Sequence, residues 1–268
     1  MITAVNITLI LIRIVFLVWS MIIFFSEPRR KHYILYGVMF SLIYFFGELL
    51  VLATVKDFPD ESLGLLVINE IFTIFSIVMY IAAGMMVLRD LGFRSLPLIR
   101  RLVSNKDRHY TWSVPVYVVV ALGSVALCVG FSIVLFKLTN PSASSYILER
   151  LGPGDIPEPG KMEFSAVLSL TIIAMVEEIF FRHGIQNFLA RTFRFRHSYL
   201  AAIVISSAVW TFGHYISLEP VWVKMAQIFP IGLLLGFLYR KYGLEMSILV
   251  HAGFNFTLSF FSAYLISY

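Results

Sequence analysis

Residues 165–190 read SAVLSLTIIAMVEEIFFRHGIQNFLA, an apolar run of membrane-crossing length with Glu177, Glu178 and Arg182 set into it. Working outward, comparable runs occur at 2–25, 34–55, 65–88, 114–136, 199–218, 224–240 and 244–267. That makes eight expected spans in 268 residues, with no stretch left for a separate soluble domain. The composition agrees: 59% of residues are hydrophobic, 14% are charged, and the mean hydropathy is +0.85. Membrane β-strands alternate polar and apolar residues over about ten positions, whereas Ile34 to Val55 is apolar nearly throughout. The expected fold class is therefore all-α, a polytopic membrane helix bundle in one domain, 1–268.

Loop charge gives an orientation. The loops 26–33, 89–113, 191–198 and 240–243 hold 14 Lys and Arg, against 5 in the loops near 56–64, 137–164 and 219–224. Cytoplasmic loops carry the basic excess, so both termini are expected on the non-cytoplasmic side, the first span being retained. The net charge of +5 is thus explained by a membrane address, and no nucleic-acid partner is implied. The loop 137–164 carries Asp155, Glu158 and Glu163. One cysteine, Cys128, excludes a disulfide framework and Cys-ligated zinc or iron–sulfur clusters.

An ionisable group at mid-span costs roughly 2.5–3.5 kcal/mol on insertion scales. Arg13, Glu48 and Glu70 in the first three spans are expected to pair with one another or to lie near span ends. The fifth span is different, because three charges in one apolar helix cost roughly 8–10 kcal/mol if left uncompensated. They must face a bundle interior or water. Glu178 and Arg182 stand at i and i+4 in the favourable order for an ion pair, which leaves Glu177 as the spare acid.

The sixth span carries Trp210 and His214 at i and i+4, with Gly213 allowing close approach and Trp210 suited to wall a pocket. The eighth carries His251 and Asn255 at the same spacing. Either pair alone is better read as interhelical hydrogen bonding that holds the bundle together. Together with Glu177 they supply a carboxylate to take a proton from water, imidazoles to orient that water, and N–H donors for a developing oxyanion. No Gly-x-Ser-x-Gly elbow and no His-Glu-x-x-His signature is present.

These residues carry a family resemblance. Glu177-Glu178-x-x-x-Arg182, Trp210-x-x-x-His214 and His251-x-x-x-Asn255 resemble, in order and spacing, the three motifs of the type II CAAX prenyl endopeptidases and their bacterial relatives, the CPBP (Abi) intramembrane proteases. The resemblance covers about 165–268, expected to be the catalytic core, while 1–164 contributes four spans that match only in being hydrophobic. Trp210 stands where the family usually has Phe.

The resemblance implies an intramembrane glutamate-dependent endopeptidase acting on a membrane-associated peptide or protein, with the lipid bilayer as its surroundings, without metal or other cofactor, and located in the cell membrane. It makes Glu177 the general base, His214 the helper in water activation, His251 and Asn255 the oxyanion donors, and Glu178 with Arg182 the supporting ion pair. Two other readings use the same groups. Glu177, His214 and His251 are possible ligands of a catalytic metal, and a transporter or an immunity-type binding protein would use them as a proton or ligand site. Asn255, which carries no proton in a relay, favours the hydrolase. Counting from the expected inner ends of the spans puts His251 shallower than Glu177 or His214, unless Arg191–His197 extends the fifth helix or the eighth begins before Leu244.

Overall fold

The computed structural model describes residues 2–27, 31–53, 63–93, 96, 97, 99, 113–145, 148, 162–193, 195 and 197–267. Most of the basic loop 89–113 and of the loop 137–164, with Asp155 and Glu158, lies outside the described residues. The helices are α1 (Ile2–Ser26), α2 (Lys31–Leu52), α3 (Leu63–Asp90), α4 (Val114–Thr139), α5 (Phe164–Thr192), α6 (Ser198–Phe212), α7 (Val221–Tyr242) and α8 (Leu244–Leu265). The protein is an all-α polytopic membrane bundle. Among the described residues, α2, α3, α4, α5, α7 and α8 are long and apolar enough to cross a membrane, and shorter apolar helices run over Ile10–Ser26 and Ser198–Phe212.

Two of the expected boundaries change. The sixth span, expected over 199–218, is helical only to Phe212. The N–H of His214 bonds the carbonyl of Thr211, so the last turn tightens to three-residue spacing. The chain then leaves through a turn to the two-residue strand β2 (Leu218–Glu219). At 1.5 Å per residue α6 is roughly 22 Å long, less than the roughly 30 Å of a hydrocarbon core. Irregular backbone at such depth is tolerated where it lines a cavity within the protein. Strand β1 (Ser142–Ala143), which follows α4, pairs antiparallel with β2, and Ser142 also bridges to Ser267. The link after α4, the link between α6 and α7, and the chain's end are thereby joined at one end of the bundle.

The second change lies in α5. Its centre, Ile179–Gln186, is a π-helical segment in which all eight residues are buried. Such segments are rare and concentrate at functional sites. A polar network holds this one. His183 can only donate from Nε2 to the carbonyl of Ile81 (3.2 Å), so its Nδ1 accepts from the Tyr239 hydroxyl (2.7 Å). Asn187 donates to the Tyr239 oxygen (2.6 Å) and to the His183 carbonyl (3.0 Å). Gln186 donates to Tyr199 and to the carbonyl of Gly236 (both 3.3 Å). Gly84 makes the approach of α3 possible, since a Cβ there would fall 2.2 Å from Cδ2 of His183.

Helix α5 is the hub of the bundle, packing on α1, α2, α3, α6, α7 and α8. One buried apolar core joins it to both halves of the chain, with Phe16, Ile77, Ile81 and Met86 on one side and Ile179, Leu235 and Val250 on the other. Large apolar side chains such as Leu35, Val119 and Leu127 stand exposed, as a lipid-facing surface requires. The amino-terminal charges take partners other than those expected. Tyr44 donates to Glu70 (2.7 Å), and the Arg13 guanidinium stands over the Phe180 ring at 5.5 Å. No ion pair joins Arg13 to Glu48 or Glu70 among the described residues, and Glu48 stands four residues from the end of α2, near a span end.

Candidate active site

The site forms where the middle of α5 meets the end of α6 and the first half of α8. The Glu177 carboxylate accepts a hydrogen bond from the Trp210 indole N–H, Nε1 to Oε2 2.7 Å. Both imidazoles face it: Nε2 of His214 is 3.8 Å from Oε1, and Nε2 of His251 is 3.8 Å from Oε2. Those gaps are too long for direct hydrogen bonds and suit one water bonded to either side of each. The side chain of Glu177 keeps 21% exposure, whereas His251 and Glu178 keep 2% and 1%. The reactive edge is therefore open while its supports are sealed.

The tautomers follow from the partners. Nδ1 of His214 lies 3.0 Å from the carbonyl of Trp210, which can only accept, so Nδ1 carries the proton and Nε2 faces Glu177 with its lone pair. Nδ1 of His251 donates in the same way to Oε1 of Glu178 at 3.0 Å. The other oxygen of Glu178 faces Nε of Arg182 at 3.4 Å, both side chains being fully buried. Arg182 in turn donates from Nη1 to Ser207 (3.2 Å) and Ser206 (3.4 Å), and its guanidinium stacks over the Trp210 ring at 5.3 Å. Trp210 meets both imidazoles edge-on, with centroids 5.1 Å away in each case. It is thus more than a pocket wall, because it touches Glu177, Arg182 and both histidines.

Six of the seven residues singled out in the sequence come together here. Asn255, the seventh, stands half-buried one helical turn beyond His251 on α8. Its carboxamide has no hydrogen bond among the described residues. The depth mismatch is resolved by neither route considered. α5 ends at Thr192, and Gly243, at φ 91°, turns α7 straight into α8 at Leu244. Glu177 lies 15 residues from the carboxy-terminal end of α5, and His251 lies 7 from the start of α8. Their meeting requires α5 to project roughly 12 Å past the α7–α8 turn. His214 sits in the turn after α6, where the chain carries it off the helix while its Nδ1 stays tied to Trp210.

Residues 160–257 match a family model, Type II CAAX prenyl endopeptidase Rce1-like. No curated protein and no solved structure matches the chain. The Rce1-like region begins just before α5 and takes in α6, α7 and most of α8, so all seven residues fall within it. The chain is accordingly an integral membrane protein with a peptidase domain.

Two further residues of the Rce1-like region enter the site. Ser206 and Ser207 hold Arg182, and their position one turn before Trp210 was the available signal. Lys224, counted in the sequence as a loop cation, stands in the first turn of α7 and donates to Gln227 (3.0 Å). Among the described residues no three His, Cys, Asp or Glu side chains are arranged to hold a metal ion.

Proposed function

We propose that this protein is an intramembrane endopeptidase that hydrolyses a peptide bond in a membrane-associated protein or peptide, using water activated by Glu177. The observation that carries this reading is the half-open Glu177 carboxylate, faced at 3.8 Å by the Nε2 atoms of two histidines whose Nδ1 atoms are both engaged elsewhere.

Glu177 takes a proton from a water that also hydrogen-bonds Nε2 of His214. The hydroxide equivalent adds to the scissile carbonyl, whose π electrons move onto oxygen. Asn255 donates an N–H to that oxyanion, and His251 donates from Nε2 when its ring is protonated. Glu178 supports the charge on His251, and Arg182 supports Glu178. Collapse of the tetrahedral adduct returns the proton from Glu177 to the departing amine, so one water is consumed and two peptide products form. The Trp210 N–H holds Glu177 in the orientation this requires.

The substrate reaches this site at bilayer depth, and the excess of Lys and Arg in the loops 26–33, 89–113, 191–198 and 240–243 supports non-cytoplasmic termini in a cell membrane. The deciding experiment compares the peptides of cells making the wild type with those of cells making Glu177→Ala, seeking a new terminus found only with the wild type. Purified Glu177→Gln is expected to keep its fold and lose cleavage of that substrate. Near-normal cleavage by it overturns the reading.

A further inference from the structure

Arg13 stands near the middle of α1, by helical rise roughly 17 Å from Ile2 and roughly 20 Å from Ser26. It is exposed, which on this face of the bundle means exposed to lipid. A guanidinium keeps its charge in proteins, and a charge at such depth calls for a partner. No carboxylate pairs with it among the described residues, and Glu70 of the neighbouring α3 is turned to Tyr44 of α2. The guanidinium lies instead over the Phe180 ring, at 5.5 Å. Its place is fixed, because the Tyr80 hydroxyl donates to the carbonyl of Arg13 at 2.8 Å and so ties α1 to α3.

Arg13, Ser76, Tyr80 and Phe180 line one cavity between α1, α3 and α5, whose other walls are mostly apolar. Ser76 is the second, independent observation. It is only 7% exposed, and its Oγ has no hydrogen-bond partner among the described residues. A serine within a helix can donate to a carbonyl of the preceding turn, as Ser41 and Ser132 do. Ser76 does not, and its proton stays unspent at the cavity wall. Thr73, one turn earlier, is engaged with Tyr44, and the Tyr80 proton is spent on Arg13. The cavity thus offers a cation and a free hydroxyl donor, the complement of an anionic oxygen.

Size narrows the ligand. The cavity has a volume of about 20 Å³, room for one water-sized group. One oxygen fits, and the rest of the ligand must lie outside, where Arg13 and Phe72 meet hydrocarbon. A free anion finds no water there to complete its shell. A two-chain phospholipid keeps its phosphate outside a hydrocarbon core roughly 30 Å thick, about half that thickness away from Arg13.

We infer that this cavity is a binding site for the carboxylate of a single-chain amphiphile of the long-chain fatty-acid class. One carboxylate oxygen enters and accepts from Ser76, the Arg13 guanidinium pairs with the carboxylate at the mouth, and the chain lies in the bilayer along Phe72. The site backs onto the turn of α5 that carries Glu177 on another face, but it stands whether or not Glu177 activates water.

Full-length protein in detergent is titrated with oleate, and binding is read by native mass spectrometry and as a rise in the thermal midpoint. One oleate per chain is expected. Oleyl alcohol, with the chain but no charge, and acetate, with the charge but no chain, are each expected to bind at least about tenfold more weakly. Arg13→Gln takes a charge out of a membrane span and so keeps the fold, and it should weaken oleate about tenfold or more, the loss of a hydrogen bond to a charged group. Arg13→Lys, with the charge but not the planar fork, should fall between. Ser76→Ala removes a stranded hydroxyl, so the ligand-free thermal midpoint should not fall, while oleate binds about two- to tenfold more weakly. Equal oleate affinity in wild type and Arg13→Gln overturns the inference, and so does oleyl alcohol binding as tightly as oleate. Acetate or inorganic phosphate matching oleate overturns the amphiphile in favour of a free anion. A Ser76→Ala protein that is destabilised yet binds oleate unchanged also overturns it, because Ser76 would then serve packing alone.

Discussion

Replacing Arg182 by methionine separates the two carboxylates of the site by their support. Arg182 is completely buried, 3.4 Å from a Glu178 that is 1% exposed, so the variant strands a carboxylate whose remaining side-chain partner is the Nδ1–H of His251. Breaking a buried pair from one side costs about 3–5 kcal/mol. The two serine contacts, at 3.2 and 3.4 Å, are long and belong at the low end of hydrogen-bond contributions. The guanidinium over Trp210 adds up to about 2 kcal/mol, but a methionine sulfur at the same ring returns about 0.3–1.5. The stranded anion therefore dominates, and Arg182→Met is expected to lose about 3–5 kcal/mol. Glu178→Gln alone is expected to lose a similar amount by leaving the guanidinium unpaired. The double variant buries no charge at this pair and should cost less than either single one, a favourable coupling above about 2 kcal/mol. Unfolding free energies of the four proteins, from SDS titration in mixed micelles, complete the cycle. Additive losses, or an Arg182→Met protein within about 1 kcal/mol of wild type, would refute the reasoning.

Trp210→Phe keeps the ring and removes the 2.7 Å bond to Glu177. A hydrogen bond to a charged acceptor is worth about 1.5–3 kcal/mol, so kcat should fall about tenfold or more, with a lower thermal midpoint because the indole is buried, and an unaltered kcat would show that the indole N–H does not orient Glu177. Gly84→Ala places a Cβ 2.2 Å from the His183 ring; α3 must withdraw from the π-helical segment, at the cost of about 1–3 kcal/mol expected of overpacking, read as a lower thermal midpoint. Cleavage is expected to persist after exhaustive chelation, as direct activation of water by Glu177 requires, and its abolition with recovery on adding back zinc would move Glu177, His214 and His251 to the role of metal ligands.

The site was legible in the sequence to the extent that its cost was local. Glu177, Glu178 and Arg182 announce themselves because each charge in an apolar helix carries a penalty that the flanking residues cannot repay. The i, i+4 spacing assigns Arg182 to Glu178 before any fold is known, and the pair is present at 3.4 Å. The same spacing brings the Trp210 and His214 rings together, centroids 5.1 Å apart, although α6 stops at Phe212 and His214 lies in the turn beyond it; that the indole N–H turns to Glu177 was not legible, because it depends on a neighbouring helix. Lys224 was unreadable for a related reason, since a lysine beside a loop looks the same in the sequence whether it faces water or, as here, a buried glutamine one turn on.

The number and approximate limits of the helices, the membrane setting and the inventory of candidate site residues follow from the order of residues alone, because apolar length and helical periodicity are properties of a segment. The π-helical centre of α5, the depth at which His251 meets Glu177, and the choice of Glu178 as the partner of His251 come only with tertiary packing. Each depends on distances between helices whose relative height is set by contacts such as Gly84 against His183 and Tyr239 against Asn187, and no single segment contains that information.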